Sequence, residues 1–403
     1  MYDNSALYGN SGLYDNSALS AYDLLSGGVA DPSTYVQTDL VSNVSGLAEK
    51  TDPNLINPWG VSFITSPFSS PFWVSNQGTS TSTLYAVTDS THVAKVPLTV
   101  DVPTTASGPQ GPTGQISNTN ASSFILSDGT NANFIFANLN GTISAWNGGL
   151  GTTAEVEVTT PGAVYTGLAI NEAHTRLYAA NDSAGTIDVF NSSFKPVSLG
   201  DHAFQTPEAI AKRDLVPFNV TDIGANVYVT YAPEGPTAQT KAGLGDGAVA
   251  VFNERGQLEP FSVLLGGPHD PLASPWGIAV APSDWGRFGG DLLVGNFSYA
   301  HSEINAFNFE TGKFEGTIPI FAGSGQLPGG LWDLTFGGGG SNGSPNTLYF
   351  TDGINGQTGG LFGAITSEPL FSASSRDGSA GGMSYAGAIG HAGSGCGSSG
   401  SGS

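Results

Sequence analysis

The chain has 403 residues, 58 of them glycine, and 33 acidic against 11 basic side chains give a formal charge of −22. A surface of that sign is repelled by nucleic acid and by anionic membranes, so neither is an expected partner. The single cysteine, Cys396, excludes an internal disulfide and a thiolate metal cluster, and no run of apolar residues is long enough for a membrane-spanning helix.

Glycine stands at about twice its usual share and charged residues, at 11%, at less than half of theirs. Short strands joined by tight turns demand that much glycine. A surface rich in Ser, Thr, Asn and Gly and poor in Lys leads to the expectation of an extracellular or cell-surface protein. No charged-then-apolar signal follows Met1, so export is expected either to precede this numbering or to use another route.

Residues 1–30 form a leader of six-residue repeats. Tyr2, Tyr8 and Tyr14 open units that close on Leu7, Leu13 and Leu19, and a degenerate fourth unit holds Tyr22. One reading is a polar, low-complexity linker unable to support a core. The other is an apolar ladder at fixed spacing that pairs with the sheet edge of a neighbouring subunit. The next segment, 35–41, alternates and is β-branched, with Tyr35, Val36, Leu40 and Val41 as its apolar members. It reads as a strand that lies ahead of everything periodic.

From residue 57 the chain repeats itself. Asn57-Pro58-Trp59-Gly60-Val61 returns as Ser274-Pro275-Trp276-Gly277-Ile278, with weaker echoes at Thr113-Gly114, Thr166-Gly167, Phe218-Asn219 and Trp332-Asp333. Aligning Trp59, Thr113, Thr166, Phe218, Trp276 and Trp332 gives steps of 54, 53, 52, 58 and 56 residues. A near-constant period of that size, filled with short strands, is the mark of propeller blades. The expected strands are 59–63, 72–76, 83–87 and 93–102 in blade 1, and 114–117, 134–138, 142–146 and 154–159 in blade 2. Blade 3 takes 167–170, 177–180, 186–190 and 195–199, and blade 4 takes 218–223, 227–231, 248–252 and 260–264. Blade 5 takes 276–280, 292–296, 303–307 and 314–320. The third strands share a template, as Gly141-Thr-Ile-Ser-Ala-Trp-Asn147 and Gly185-Thr-Ile-Asp-Val-Phe-Asn191 show.

Blade 6 offers 332–336, 347–351 and 360–366 and then runs out of strands. The early strand 35–41 is expected to supply the fourth and so to lock a six-bladed, all-β ring with no free sheet edge. Residues 369–403 are nearly all Gly, Ser and Ala and read as a tail by composition. The expected division is therefore a leader over 1–30, a propeller over 31–368 and a tail over 369–403.

Candidate chemistry is sparse. The six histidines (His92, His174, His202, His269, His301, His391) show no metal-binding spacing and read as loop residues, and Gly323-Ser324-Gly325 is no nucleophile elbow. Asp333 and Asp222 stand near equivalent places at innermost strands facing the central channel, where carboxylates are candidate Ca²⁺ ligands or acceptors for turn N–H groups. The tryptophans 59, 276 and 332 invite a sugar-binding reading but suit packing between blades better. Eight N-glycosylation sequons occur, at a frequency near chance for this composition. Cys396 is either inert or a covalent link between subunits.

Residues 51–60 (Thr-Asp-Pro-Asn-Leu-Ile-Asn-Pro-Trp-Gly), Ser274-Pro-Trp-Gly-Ile-Ala279, Asp291-Leu-Leu-Val-Gly-Asn-Phe297 and Asn346-Thr-Leu-Tyr-Phe-Thr351 carry a resemblance. Over about residues 35–366 the chain resembles a family of uncharacterised exported propellers, many of whose bacterial members end in a PEP-CTERM sorting signal. A more distant likeness is to NHL-type six-bladed propellers. The resemblance implies an exported propeller with no assigned reaction, and it fails at both ends, where the hexad leader and the Gly/Ser tail stand instead of a sorting signal. The expectation from the sequence is an extracellular, non-enzymatic propeller that self-assembles into a filament or surface layer through its terminal segments. The alternatives are a calcium-dependent, lactonase-like hydrolase or a carbohydrate- or protein-binding module using the loops 232–247 and 266–274.

Overall fold

In the computed structural model, residues 33–369 are described, apart from 90, 104–107, 260–265 and 268–269. The repeat unit becomes an antiparallel sheet, and six such sheets follow one another in a ring: a six-bladed β-propeller. Blade 1 consists of Pro58–Ser62, Phe72–Asn76, Thr81–Val87 and Val93–Asp101. Blade 2 consists of Pro112–Ser117, Phe134–Asn138, Thr142–Trp146 and Glu155–Thr159. Blade 5 consists of Pro275–Val280, Leu292–Asn296, Glu303–Phe307 and Phe314–Pro319.

Blade 3 departs from the expected count. It has Tyr165–Ile170, Arg176–Asn181 and Thr186–Asn191, and its anticipated fourth strand at 195–199 pairs at a single bridge between Phe190 and Pro196. Two backbone bonds flank that bridge, Asn191 N–H to the Lys195 carbonyl and Val197 N–H to the Val189 carbonyl, both at 2.9 Å, and the pairing forms no longer ladder. Blade 4 likewise shows Leu215–Ile223, Asn226–Pro233 and Ala248–Asn253, and its expected fourth strand at 260–264 lies outside the described residues.

Blade 6 settles the closure. Leu331–Phe336, Thr347–Asp352 and Leu361–Pro369 are joined by Ser33–Ser42, which pairs antiparallel with Leu361–Pro369 from Ser33 opposite Pro369 to Ser42 opposite Leu361. The early strand therefore lies where the missing one was expected. Leu40 and Val41 are fully buried, Tyr35 reaches sideways to stack on Phe288 of blade 5, and Val36 is exposed at 40%. Lys50–Thr51 adds a short parallel pairing outside the end of this strand.

The core has the symmetry of the ring. Among the described residues, six apolar clusters each fill one seam between neighbouring blades, and a seventh lies on the axis. The alternation along each strand explains this: both faces of every sheet meet another sheet, so both parities are buried. The seam between blades 6 and 1 carries an additional clasp. The glycine-rich loop after the first strand of blade 6 crosses to blade 1, where Val87 N–H donates to the Ser341 carbonyl and Gly343 N–H to the Val87 carbonyl, both at 2.9 Å.

Candidate functional site: the ring axis

Each innermost strand carries the residue that marks the repeat in its first half, and four of the six meet on the axis. Trp59, Trp276, Trp332 and Phe218 join Phe297 in one buried cluster, with the three indoles between 1% and 4% exposed. Trp59 stacks on Trp332 with centroids 3.4 Å apart, and Trp276 meets both edge-on at 6.0 and 5.8 Å. The Trp332 indole N–H donates to Asn57 Oδ1 at 2.9 Å, and that of Trp276 crosses the axis to the Thr166 carbonyl of blade 3 at 2.8 Å. The tryptophans thus pack in the core as expected, but on the axis rather than between adjacent blades. Buried to this degree they present no stacking platform to a sugar ring.

The residue after each marker explains the remaining geometry. It is Gly60, Gly114, Gly167, Asn219, Gly277 and Asp333 in blades 1 to 6. At or beside this residue every innermost strand carries a register shift against its neighbour. The resulting bulge pushes the backbone towards the next blade. A Cβ on Gly114 would lie 2.3 Å from Leu168 N of blade 3, and one on Gly277 would lie 2.3 Å from the Trp332 carbonyl oxygen of blade 6. Glycine is required at these crossings because backbone approaches backbone.

In blades 4 and 6 a side chain replaces that contact. Asn219 Nδ2–H donates to the Trp276 carbonyl at 2.9 Å, stitching blade 4 to blade 5. Asp333 does the same for the closing seam: Val61 N–H of blade 1 donates to its Oδ2 at 2.6 Å, and Leu334 N–H donates to its Oδ1 at 2.8 Å. Both oxygens of this calcium candidate are therefore engaged by backbone N–H groups. The signal was present in the sequence, since Asp333 and Asn219 occupy the one column otherwise filled by glycine.

Beyond the plug, the later residues of the innermost strands open into a cavity of about 490 Å³. Segments 61–63, 114–117, 168–170, 219–223, 278–280 and 333–336 line it, with Trp276 and His174. Asp222 and Asp333 both face this space, from blades 4 and 6. Burial raises the Asp333 carboxyl to about 7 against the two N–H bonds that lower it. Asp222 is also raised to about 7, first by burial and then by the charge of Glu254, while the Ala225 N–H lowers it. Its Oδ2 is shielded from water and accepts no hydrogen bond among the described residues. His174, which sequence reasoning passed over as a loop residue, holds a left-handed backbone at φ 52° and accepts the Thr119 N–H on Nδ1 at 3.0 Å. Burial lowers its pKa, so the ring is neutral at neutral pH. Gln115 is committed to the wall, accepting from Ser75 and Ser82 and donating to Ser62.

Among the described residues no group of three or more His, Cys, Asp or Glu side chains is arranged to hold a metal ion. The remaining sequence candidates, Tyr2, Leu7, Tyr8, Leu13, Tyr14, Leu19, Tyr22 and Cys396, lie outside the described residues. None of the described helices is long and apolar enough to cross a membrane.

No family model matches the chain. It is similar to two uncharacterised proteins of Acanthamoeba polyphaga mimivirus. R648 is 28% identical over 351 residues, covering 82% of this chain and 80% of the relative. L690 is 26% identical over 356 residues, covering 84% and 87%. Among solved structures, a protein of unknown function from Bacteroides thetaiotaomicron superposes with a TM-score of 0.50 at 11% identity, over 83% of this chain and 76% of that one. A gluconolactonase from Xanthomonas campestris overlaps at 14% identity over 58% of this chain and 82% of its own, and its TM-score of 0.37 supports no argument about activity. The structural likeness establishes the propeller; the relatives establish that chains of this kind occur in a giant virus, without a function attached.

Proposed function

We propose that this protein is an extracellular, non-enzymatic propeller that associates with copies of itself through its terminal segments. The observation that carries the reading is the closure of blade 6. Ser33 and Pro369 are register partners, so the described chain starts and ends on adjacent strands of blade 6. The leader's repeated Tyr and Leu, at a fixed six-residue spacing, are the residues this reading assigns to contact with a neighbour. The low charge content, 11% of residues, favours close packing of subunits because few ions need be desolvated. The resemblance to exported, PEP-CTERM-bearing and NHL-type propellers supports the location.

Deleting residues 1–32 tests the reading. The shortened chain keeps its folded circular-dichroism spectrum and runs as a monomer by light scattering, whereas the full chain forms larger species. An unchanged size distribution, or a full chain that is itself monomeric at high concentration, overturns it.

A further inference from the structure

The cavity beyond the aromatic plug has a mouth ringed by apolar side chains. Each blade gives it one from the end of its innermost strand: Phe63, Ile116, Ile170, Ile223, Val280 and Phe336, all half-buried. Several polar groups of the wall are bonded within it. Asp333 accepts two N–H groups, Asn219 donates to the Trp276 carbonyl, and the Ser117 hydroxyl donates to the Phe63 carbonyl at 2.9 Å. The spare Oδ2 of Asp222 is shielded from water and is not offered to a ligand. His174 adds a donor to the wall: its Nδ1 accepts the Thr119 N–H, so the neutral ring carries its proton on Nε2. An apolar ring with a donor beside it suits an apolar side chain with a polar tip, as tyrosine has.

Strand direction brings such side chains to this mouth. The innermost strand of blade 6 runs from the plug, at Trp332, to the mouth, at Phe336. Its partner Thr347–Asp352 places Leu348 opposite Phe336, and Leu361–Pro369 runs out again with Thr366 opposite Thr347. Ser33 lies opposite Pro369, past that end. The described chain therefore begins on the face to which the cavity opens. Strand spacings of about 4.8 Å put this outermost strand about 20 Å from the axis. The sequence has 32 residues before Ser33, enough to span about 105 Å when extended. Tyr2, Tyr8, Tyr14 and Tyr22 are all close enough in sequence to reach the axis.

We propose that the mouth of the axial cavity is the docking site for this chain's own leader, one tyrosine of residues 2–22 entering the apolar ring with its hydroxyl towards His174. Attachment to the same chain gives the segment an effective concentration that a neighbour's leader lacks. Six extended residues cover about 20 Å, so one tyrosine in the mouth leaves its repeats outside it, where the association proposed above can use them. The docking site goes beyond that association and stands without it. The leader holds Asp3, Asp15, Asp23 and Asp31 and no Lys or Arg, in a chain of −22. Charge therefore opposes the contact, and added salt is expected to strengthen it.

Photo-crosslinking of the full chain, with benzoylphenylalanine replacing Tyr8, Tyr14 or Tyr22 in turn, is the test. At micromolar concentration the crosslinks are expected within one copy, on the strand ends that hold Phe63, Ile170, Val280 and Phe336. Their yield falls about tenfold in Val280→Glu, because an entering ring must strip water from the new carboxylate. Should Val280→Glu fold poorly, a synthetic peptide of residues 2–19, added in excess to the unaltered propeller, suppresses the same crosslinks. Crosslinks scattered over the outer strands, or found only between copies, overturn the assignment. So does a yield indifferent to both Val280→Glu and the peptide. Light scattering on the same samples separates the two readings. A monomer with crosslinks at the mouth ends the association and keeps the docking site, whereas larger species without them do the reverse.

Discussion

The two ends of one axis make a useful contrast. The same six innermost strands begin by filling the centre with three indoles and a phenyl ring, and end by leaving about 490 Å³ open. At the first end the side chains are large and apolar, and they touch across the axis. At the second, residues such as Ser117, Thr221 and Thr335 are too short to meet. The bulge at the glycine column separates the two regimes. It teaches that a propeller of six blades has an axis narrow enough for indoles to close, and that whether it is a plug or a pocket depends on a few residues per strand.

The largest expected break in that contrast comes from the column itself. Gly114→Val places a branched side chain where even a Cβ lies 2.3 Å from backbone of the next blade. The ring then cannot close around blade 3, and the chain is expected to lose its cooperative thermal transition altogether. A cooperative transition within a few degrees of the parent's removes the claim that these glycines set the blade spacing.

Next is the plug. Trp332→Ala removes the ring that stacks on Trp59 and Phe297 and leaves a void on the axis, at a cost of about 3–5 kcal/mol by chemical denaturation. Under the reading above, a truncation at the open end, Thr335→Ala, stays within ~0.5 kcal/mol, since that residue is half-buried and bounds a cavity. Equal losses at the two sites erase the distinction between plug and pocket.

A smaller effect follows from the acids. Asp222, Asp333 and the buried Asp352 each hold a proton up to about 7, with burial as the first cause. A carboxyl unfolded at about 4 and folded at about 7 binds its proton more tightly in the folded state. Its contribution is complete below about pH 4 and is lost as the pH rises through 7. Thermal midpoints are therefore expected to fall from pH 5 to pH 8, and release of self-repulsion in this acidic chain at lower pH acts in the same direction. A midpoint that rises over that interval contradicts the assignment of these three groups as buried acids.

The smallest effect sharpens the role of Asp333. Asp333→Gly gives blade 6 the residue that four other blades use, and removes the acceptor of the Val61 N–H across the closing seam. About 1 kcal/mol is the expected loss at pH 5, with less at pH 8, where the ionised carboxyl has already surrendered its advantage. If the loss instead grows with pH, the carboxylate rather than the acid holds the seam.

Much of this was legible beforehand. The period gave six wedges, and the orphan segment with Leu40 and Val41 pointed to the closing strand, because a local apolar alternation with no local partner must find a distant one. The third strands, with their recurring Asn at the turn, were as readable as any element. What failed was the outer rim of blade 3, where the strand expected at 195–199 pairs with its neighbour at one bridge only. The site was read less well. Asp222 and Asp333 were named, yet their difference was not: Asp333 is a stitch between blades, with both oxygens used, while Asp222 keeps one oxygen shielded from water and without a donor. Nothing in the spacing of His174 connects it to residues 45 or more positions away.

The repeat, its length and the strand that completes it are written in the order of residues, since alternation and turn chemistry act between neighbours in the chain. Whether the three tryptophans fill a seam, bind a sugar or plug the axis was decided by closure. Only when six sheets share one centre do residues some fifty positions apart come within a few ångströms. The cavity belongs to the same class of fact, because its walls come from six strands and its emptiness is a property of their convergence, not of any one of them.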